Sequence, residues 1–134
     1  MIIWLKAEEQ HQHKSSGGWV ANTATTEDSV HIGPNAVVFG DARVFGDAWV
    51  FGDAQVFGDA AVYGNAWMET PLFIQGTKHG VSNSSYGKLS IGCVTLTFAE
   101  WKKQYRVIGK REGYTEKQIK EYGAIIALAT KIGK

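Results

Sequence analysis

The sequence predicts a mainly β fold in which short strands wind as stacked coils and an α-helical hairpin follows them. Three observations predict it. From Ile32 to Trp67 the chain reads IGPNAV, VFGDAR, VFGDAW, VFGDAQ, VFGDAA and VYGNAW, six units of six residues without a break. A fixed internal period of this kind outranks other signals, because it marks an architecture of stacked units. Alanine in the fifth place and valine in the next first place stand two apart, on one side of an extended chain. After residue 97 the pattern changes to apolar residues at helical spacing, and each such segment is preceded by a capping box.

Residues 1–19 read as an N-terminal strand and a polar loop. Met1 to Leu5 is apolar, while Glu8 to Gly18, with His11 and His13, reads as a mobile polar loop. Residues 20–79 carry the repeat, strict in its middle and looser over Val20 to His31 and Met68 to His79. Val38, Val44, Val50, Val56 and Val62, with the alanines from Ala36 to Ala66, form the predicted inside. Gly40, Gly46, Gly52, Gly58 and Gly64 hold the third place, where a type II turn needs a positive φ that glycine adopts without strain. One inward valine and one inward alanine cannot close a core, so the units must stack. Asp41, Asp47, Asp53 and Asp59 read as solvated turn residues rather than ligands, and no metal or cofactor is expected.

Residues 80–134 read as capping strands and a basic helical hairpin. Gly76, Gly80 and the polar turn Ser82 to Gly87 break the stretch from Pro71 into short strands. Thr97 with Glu100 opens a helix whose Phe98, Trp101, Tyr105 and Ile108 share a face and whose stop is Gly109. Thr115 with Gln118 opens a second, lined by Ile119, Tyr122, Ile126 and Ala129. The pair could cover an open end of the coil, where a last strand would expose unpaired backbone groups. Residues 98–134 hold nine Lys or Arg against four Glu, a net +5, and the rest of the chain has five basic and nine acidic residues, a net −4. The overall +1 therefore conceals an acidic repeat joined to a basic tail.

The repeat resembles the hexapeptide-repeat, left-handed parallel β-helix family, over Val20 to about His79. That resemblance implies three units to a triangular coil, so residues eighteen apart stack at about the 4.8 Å strand spacing. Outward columns follow from it. One face would carry His31, Trp49 and Trp67, with Phe45 and Tyr63 at its corner. A second would carry Thr25, Arg43 and Ala61, with Phe39 and Phe57, and a third Val37 and Gln55, with Phe51. The first is the most aromatic, and contiguous exposed aromatic surface marks an interface. Family members are typically trimers, so His31, Phe45, Trp49, Tyr63 and Trp67 are the expected homotrimer contact. The tail, with Ile74 to His79, LSIGC at Leu89 to Cys93, Trp101 and Gly113 to Thr115, is similar to that of small phage and prophage proteins carrying this repeat.

The hexapeptide family also contains acyltransferases that use CoA thioesters and zinc carbonic anhydrases. An acyltransferase needs a histidine base beside a loop that builds the pocket, and no insertion interrupts the units from Ile32 to Trp67. The anhydrase needs three histidine ligands, and His11, His13, His31 and His79 lack that family's spacing. The expectation is therefore binding rather than catalysis, with no catalytic residue assigned. The resemblance to phage proteins implies a non-housekeeping role, expected here as interference with a host component. The partner would be a host defence protein or an anionic small molecule such as a nucleotide signal. Lys78, His79, Lys102, Tyr105 and Arg106 are the candidate ligand-binding residues, since cations and aromatic rings together clasp phosphate and base. An acyltransferase using acetyl-CoA with His31 as base, or a structural virion component, remain the alternatives. Nucleic acid is not expected as a partner, because the turn between the helices lacks the compactness of a helix-turn-helix. A single cysteine, Cys93, and no signal-like or membrane-length apolar run suggest a cytoplasmic setting, that of the host cell if the protein is phage-borne.

Overall fold

The first-position valines are all out of water: Val38, Val44, Val50 and Val62 are 0% exposed and Val56 1% in a computed structural model that describes residues 1–134. Ala36, Ala42, Ala48, Ala54 and Ala60 are buried beside them. Two units make up the chain, Met1–Pro71 and Leu72–Lys134.

The first unit holds a short 3-10 turn, Ala7–Glu9, and ten strands. These are β1 (Gln10–Gln12), β2 (Trp19–Ala21), β3 (Thr25–Thr26), β4 (His31–Ile32), β5 (Val37–Val38), β6 (Arg43–Val44), β7 (Trp49–Val50), β8 (Gln55–Val56), β9 (Ala61–Val62) and β10 (Ala66–Trp67). Parallel ladders run β2-β5-β8, β3-β6-β9 and β4-β7-β10, and β1 adds an antiparallel edge to the first. Partners such as Thr25 and Arg43, or Val37 and Gln55, stand eighteen residues apart. Each central strand is only two residues long because four of every six residues turn a corner. Gly40, Gly46, Gly52 and Gly58 take φ between 58° and 65° at those corners.

The last unit departs from this pattern. Gly64 does not take the positive φ expected of it; Asn65 does, at 68°. Asparagine is among the few residues other than glycine that visit this region routinely. Moving the corner by one residue moves the register by one, so Ala66 pairs with Trp49 and Trp67 with Val50, an offset of seventeen. A one-residue slip turns every side chain to the opposite face. Ala66, expected inside, is exposed. Trp67, expected in the outward column, is 2% exposed and donates its indole N–H to the Gly64 carbonyl at 2.8 Å.

Two further expectations are corrected in this unit. Glu8 to Gly18 is not a mobile loop: β1 pairs with β2, and His11 Nδ1 lies 2.7 Å from Asn22 Oδ1. His13 is buried, its ring held by Ser16 Oγ at 2.7 Å and the Glu27 carbonyl at 2.9 Å. The loose period over Ile74 to His79 does not continue the ladders either, because Ile74 pairs antiparallel with Val81.

The second unit is one antiparallel sheet under two helices. Strands β11 (Phe73–Gln75), β12 (Gly80–Ser85), β13 (Lys88–Ile91) and β14 (Val94–Thr97) lie in chain order, followed by α1 (Phe98–Arg111) and α2 (Glu116–Ile132). Thr97 and Thr115 each accept a hydrogen bond from the backbone N–H three residues on, with Glu100 and Gln118 reaching back, so both capping boxes form. Gly109 does not stop α1, which runs on to Arg111 and ends before Gly113 at φ 78°. Val81, Leu89, Ile91, Trp101, Ile108, Tyr122 and Ile126 form the core between sheet and helices. Buried Asn83 donates to three carbonyls, including that of Lys134, and accepts from the Lys134 amide at 2.7 Å.

The expected fold class, a mainly β left-handed parallel β-helix, is thus corrected to mixed α/β. Fourteen short strands fall into four small sheets, none closed on itself, and two long helices occupy most of the last third. The cause lies in the composition of the tail, whose amphipathic segments are long enough to bury a full helical face, while the repeat loses its register at Asn65. No helix is long and apolar enough to cross a membrane.

Two substitutions test the slipped corner by urea denaturation. Trp67→Ala is expected to cost about 3–5 kcal/mol, as for other large aromatic truncations in cores. Asn65→Val, which puts a branched side chain at positive φ, is expected to cost roughly 1–2 kcal/mol while Asn65→Gly does not.

Candidate functional site

The second unit holds a cavity of about 80 Å³, open to solvent, where the β13–β14 hairpin meets the two helices. Helical spacing builds most of its wall. Trp101, Tyr105 and Ile108 project from one face of α1, and Ile119, Tyr122 and Ile126 from the facing side of α2. Trp101 is held in place by its indole N–H, which donates to the Leu89 carbonyl at 2.8 Å. The hairpin turns through Gly92 and Cys93 alone, between the paired residues Ile91 and Val94. Gly92 takes φ 59° at the first turn position, where a tight hairpin favours glycine. A Cβ there would lie 3.2 Å from His79 Cδ2, so the glycine also lets the imidazole rest against the turn. Gly92, Cys93 and Glu112 are exposed and form the mouth.

The polar side of the cavity is assembled by one hydroxyl. Tyr122 Oη accepts from the Lys78 amide at 3.0 Å and the His79 amide at 2.6 Å, and donates to the His79 carbonyl. Glu121, one residue earlier on α2, accepts from the Thr77 amide at 3.1 Å and from its hydroxyl. Gly76 has to be glycine for this clasp to close, since a Cβ would come within 2.4 Å of Tyr122 Oη. The loop so held carries His79, whose ring centroid lies 6.0 Å from that of Tyr114. His79 Nδ1 is buried and has no hydrogen-bond partner, the single side-chain nitrogen or oxygen in that condition.

Tyr114 completes the wall, edge-on to Tyr122 at 5.0 Å between centroids. Lys78 Nζ stands 4.7 Å over its ring and donates to the carbonyls of Glu112 at 3.2 Å and Gly113 at 3.4 Å. Burial, with smaller contributions from Tyr122 and the carboxylates of Glu112 and Glu121, pushes the Tyr114 hydroxyl up to about 12.

Of the ligand-binding residues expected from sequence, His79 and Tyr105 line this cavity and Lys78 caps its tyrosine. Arg106 is not on the wall. It pairs with Glu116 at 3.1 Å, a bond that raises its already high pKa, and lies 5.6 Å over the Tyr105 ring. Lys102 is exposed on α1 and does not line the cavity. Tyr114, Tyr122, Gly92 and Cys93 were not among the expected site residues. The readable signal for them was two tyrosines and a glycine-bounded hairpin converging on one histidine.

In the first unit, His31 and Trp49 stack at 4.4 Å and Phe45 and Tyr63 at 5.6 Å, so four of the five expected interface residues form outward columns. Trp67 is withdrawn from them by the slip described above. A second column is comparably aromatic: Phe39 and Phe57 stack at 5.5 Å, and Trp4 meets Phe39 edge-on at 5.1 Å.

No protein-family model matches the chain, and no curated protein and no solved structure is significantly similar to it.

Tyr122→Phe keeps the ring and removes the hydroxyl, leaving two loop amides without an acceptor. Stability is expected to fall on the order of 1–3 kcal/mol, with faster hydrogen exchange at the Lys78 and His79 amides. The Tyr114 shift has a defined sign. Its folded pKa of about 12 exceeds the ordinary 10.0, so the stabilisation is complete below pH 10 and is lost as pH rises toward 12. Tyr114→Phe is expected to flatten stability across that window, measured by denaturation at stepped alkaline pH.

Proposed function

We propose that the protein acts by binding rather than catalysis, and that its second unit takes a small, mostly apolar ligand in the cavity under the β13–β14 hairpin. The observation that supports this is the cavity itself, an aromatic-walled space of about 80 Å³ inside the core. Small-ligand sites have this character, apolar walls with few polar groups. Joined to the likeness of the tail to small phage-carried proteins, the reading extends to sequestration, in which a copy made in a host cell withdraws a small host molecule without converting it.

An anionic ligand is less favoured by this geometry. Lys78 already serves two carbonyls, Arg106 is paired with Glu116, and Glu112 brings a carboxylate to the mouth. Ligand-induced chemical-shift changes in the full chain, screened against single-ring and branched aliphatic compounds, are expected at Trp101, Tyr105 and Ile126. Val94→Phe, which adds bulk at the wall, is expected to abolish them, and Lys102→Glu with Arg106→Glu to leave them intact. Loss on charge reversal alone would move the site to the exposed face of α1 and overturn this placement.

Self-association is the reading for the first unit, supported by Trp49, which is 53% exposed yet stacked on His31. A homotrimer joined through the His31–Trp49 and Phe45–Tyr63 columns would cover that surface. Sedimentation is expected to show an oligomer that Trp49→Lys converts to monomer, and a monomeric parent would reject it.

A further inference from the structure

We propose that Ile3 and Trp4 form a knob for the self-association of the first unit, and that the knob of one copy packs on the His31–Trp49 and Phe45–Tyr63 columns of the next. The inference rests on the self-association proposed above and names the surface that meets those columns. Ile3 is 89% exposed, more than any other large apolar side chain, and Trp4 is 60% exposed. Contiguous exposed apolar surface of this kind marks an interface.

The segment that presents the two side chains is firmly built. The Leu5 amide donates to the Ile2 carbonyl at 3.2 Å, which closes a β-turn with Ile3 and Trp4 in its two central places. Buried Gln10, at the start of β1, clamps that turn. Its Oε1 accepts from the Ile2 amide at 2.8 Å, and its Nε2 donates to the carbonyls of Ile2 at 3.0 Å, Leu5 at 3.2 Å and Lys6 at 3.3 Å. Ile2 is buried at the foot of the turn, and Phe39 supports the Trp4 ring edge-on at 5.1 Å. Turn centres ordinarily carry Gly, Pro, Asn, Asp or Ser. A turn fixed in place with isoleucine and tryptophan at its tip meets a partner with little ordering left to do.

Symmetry and charge point to the columns of a second copy. A closed ring of three needs two different patches, whereas a twofold pair uses one patch twice. Column against column would leave Ile3 and Trp4 in water, while knob on columns covers both patches in one repeated contact. The columns also have an acidic border. Exposed Asp28 and Asp47 flank them, and Glu27 Oε1 accepts from the Gly46 amide at 3.0 Å, next to Phe45. Two columns face to face would set these carboxylates against their own copies, and like charges across an interface are unfavourable. Met1 to Lys6 holds one charged side chain, the exposed cation Lys6, so the knob brings the opposite sign.

The test is sedimentation of the full-length parent, of Ile3→Glu, of Trp49→Lys and of an equal mixture of the two variants, with circular dichroism as the check on folding. Ile3→Glu is expected to sediment as a monomer with an unchanged spectrum, since its side chain stands in water. Trp49→Lys is expected to be monomeric as well. Each variant keeps the patch that the other has lost, so the mixture is expected to form a one-to-one dimer and stop there. An oligomeric Ile3→Glu overturns the knob while association through the columns stands. Two monomeric variants whose mixture stays monomeric overturn the pairing of knob with columns. A monomeric parent removes the self-association and this inference together.

Discussion

From Gly40 onward each corner of the repeat carries one residue at positive φ, and a change in which residue takes it accompanies a change of phase in the strand that follows. While Gly40, Gly46, Gly52 and Gly58 hold that role, valine and alanine point inward and the aromatic residues stand outside. When Asn65 takes it over, the same alternation delivers Trp67 to the interior and Ala66 to solvent. The backbone hydrogen bonds record the change, since the His31 amide donates to Ala48 seventeen residues on while the Trp49 amide donates to Asn65 only sixteen on. At this one corner the positive φ passes from glycine to asparagine, and both the core and the outward aromatic columns change with it.

Local signals in the sequence were legible to the extent that the physics behind them is local. Inward valine and alanine follow from alternation over two residues, and the capping boxes at Thr97 and Thr115 from contacts over three. The slip at Asn65 was not legible, because VYGN and VFGD share one pattern of apolar, aromatic, glycine and polar residues, and nothing local says that the fourth residue rather than the glycine will take the left-handed backbone. Nor was the class of the whole chain, since a strong period in its middle says nothing about the sheet that the tail builds for itself. The continuation of α1 past Gly109 has a similar cause: tertiary contact with Ile119 outweighs the weak helix propensity of one glycine.

The site was half legible for a related reason. His79 and Tyr105 could be named from residue type, but the hydroxyl that organises the loop, on Tyr122, lies 43 residues from His79 in sequence. Cationic residues attracted attention that the geometry then redistributed. Arg106 and Lys78 are spent on internal partners, and Lys102 is exposed and not part of the cavity wall. Net charge along a segment describes its surface, and here the interior beneath it is aromatic.

Cys93, the chain's one cysteine, sits exposed in the two-residue turn at the cavity mouth. Its position gives the molecule a unique covalent handle beside its own interior space. A thiol-directed label would attach once per chain, at a known point, within reach of whatever enters. The same turn that leaves room for His79 therefore also provides an intrinsic reporter position beside that space.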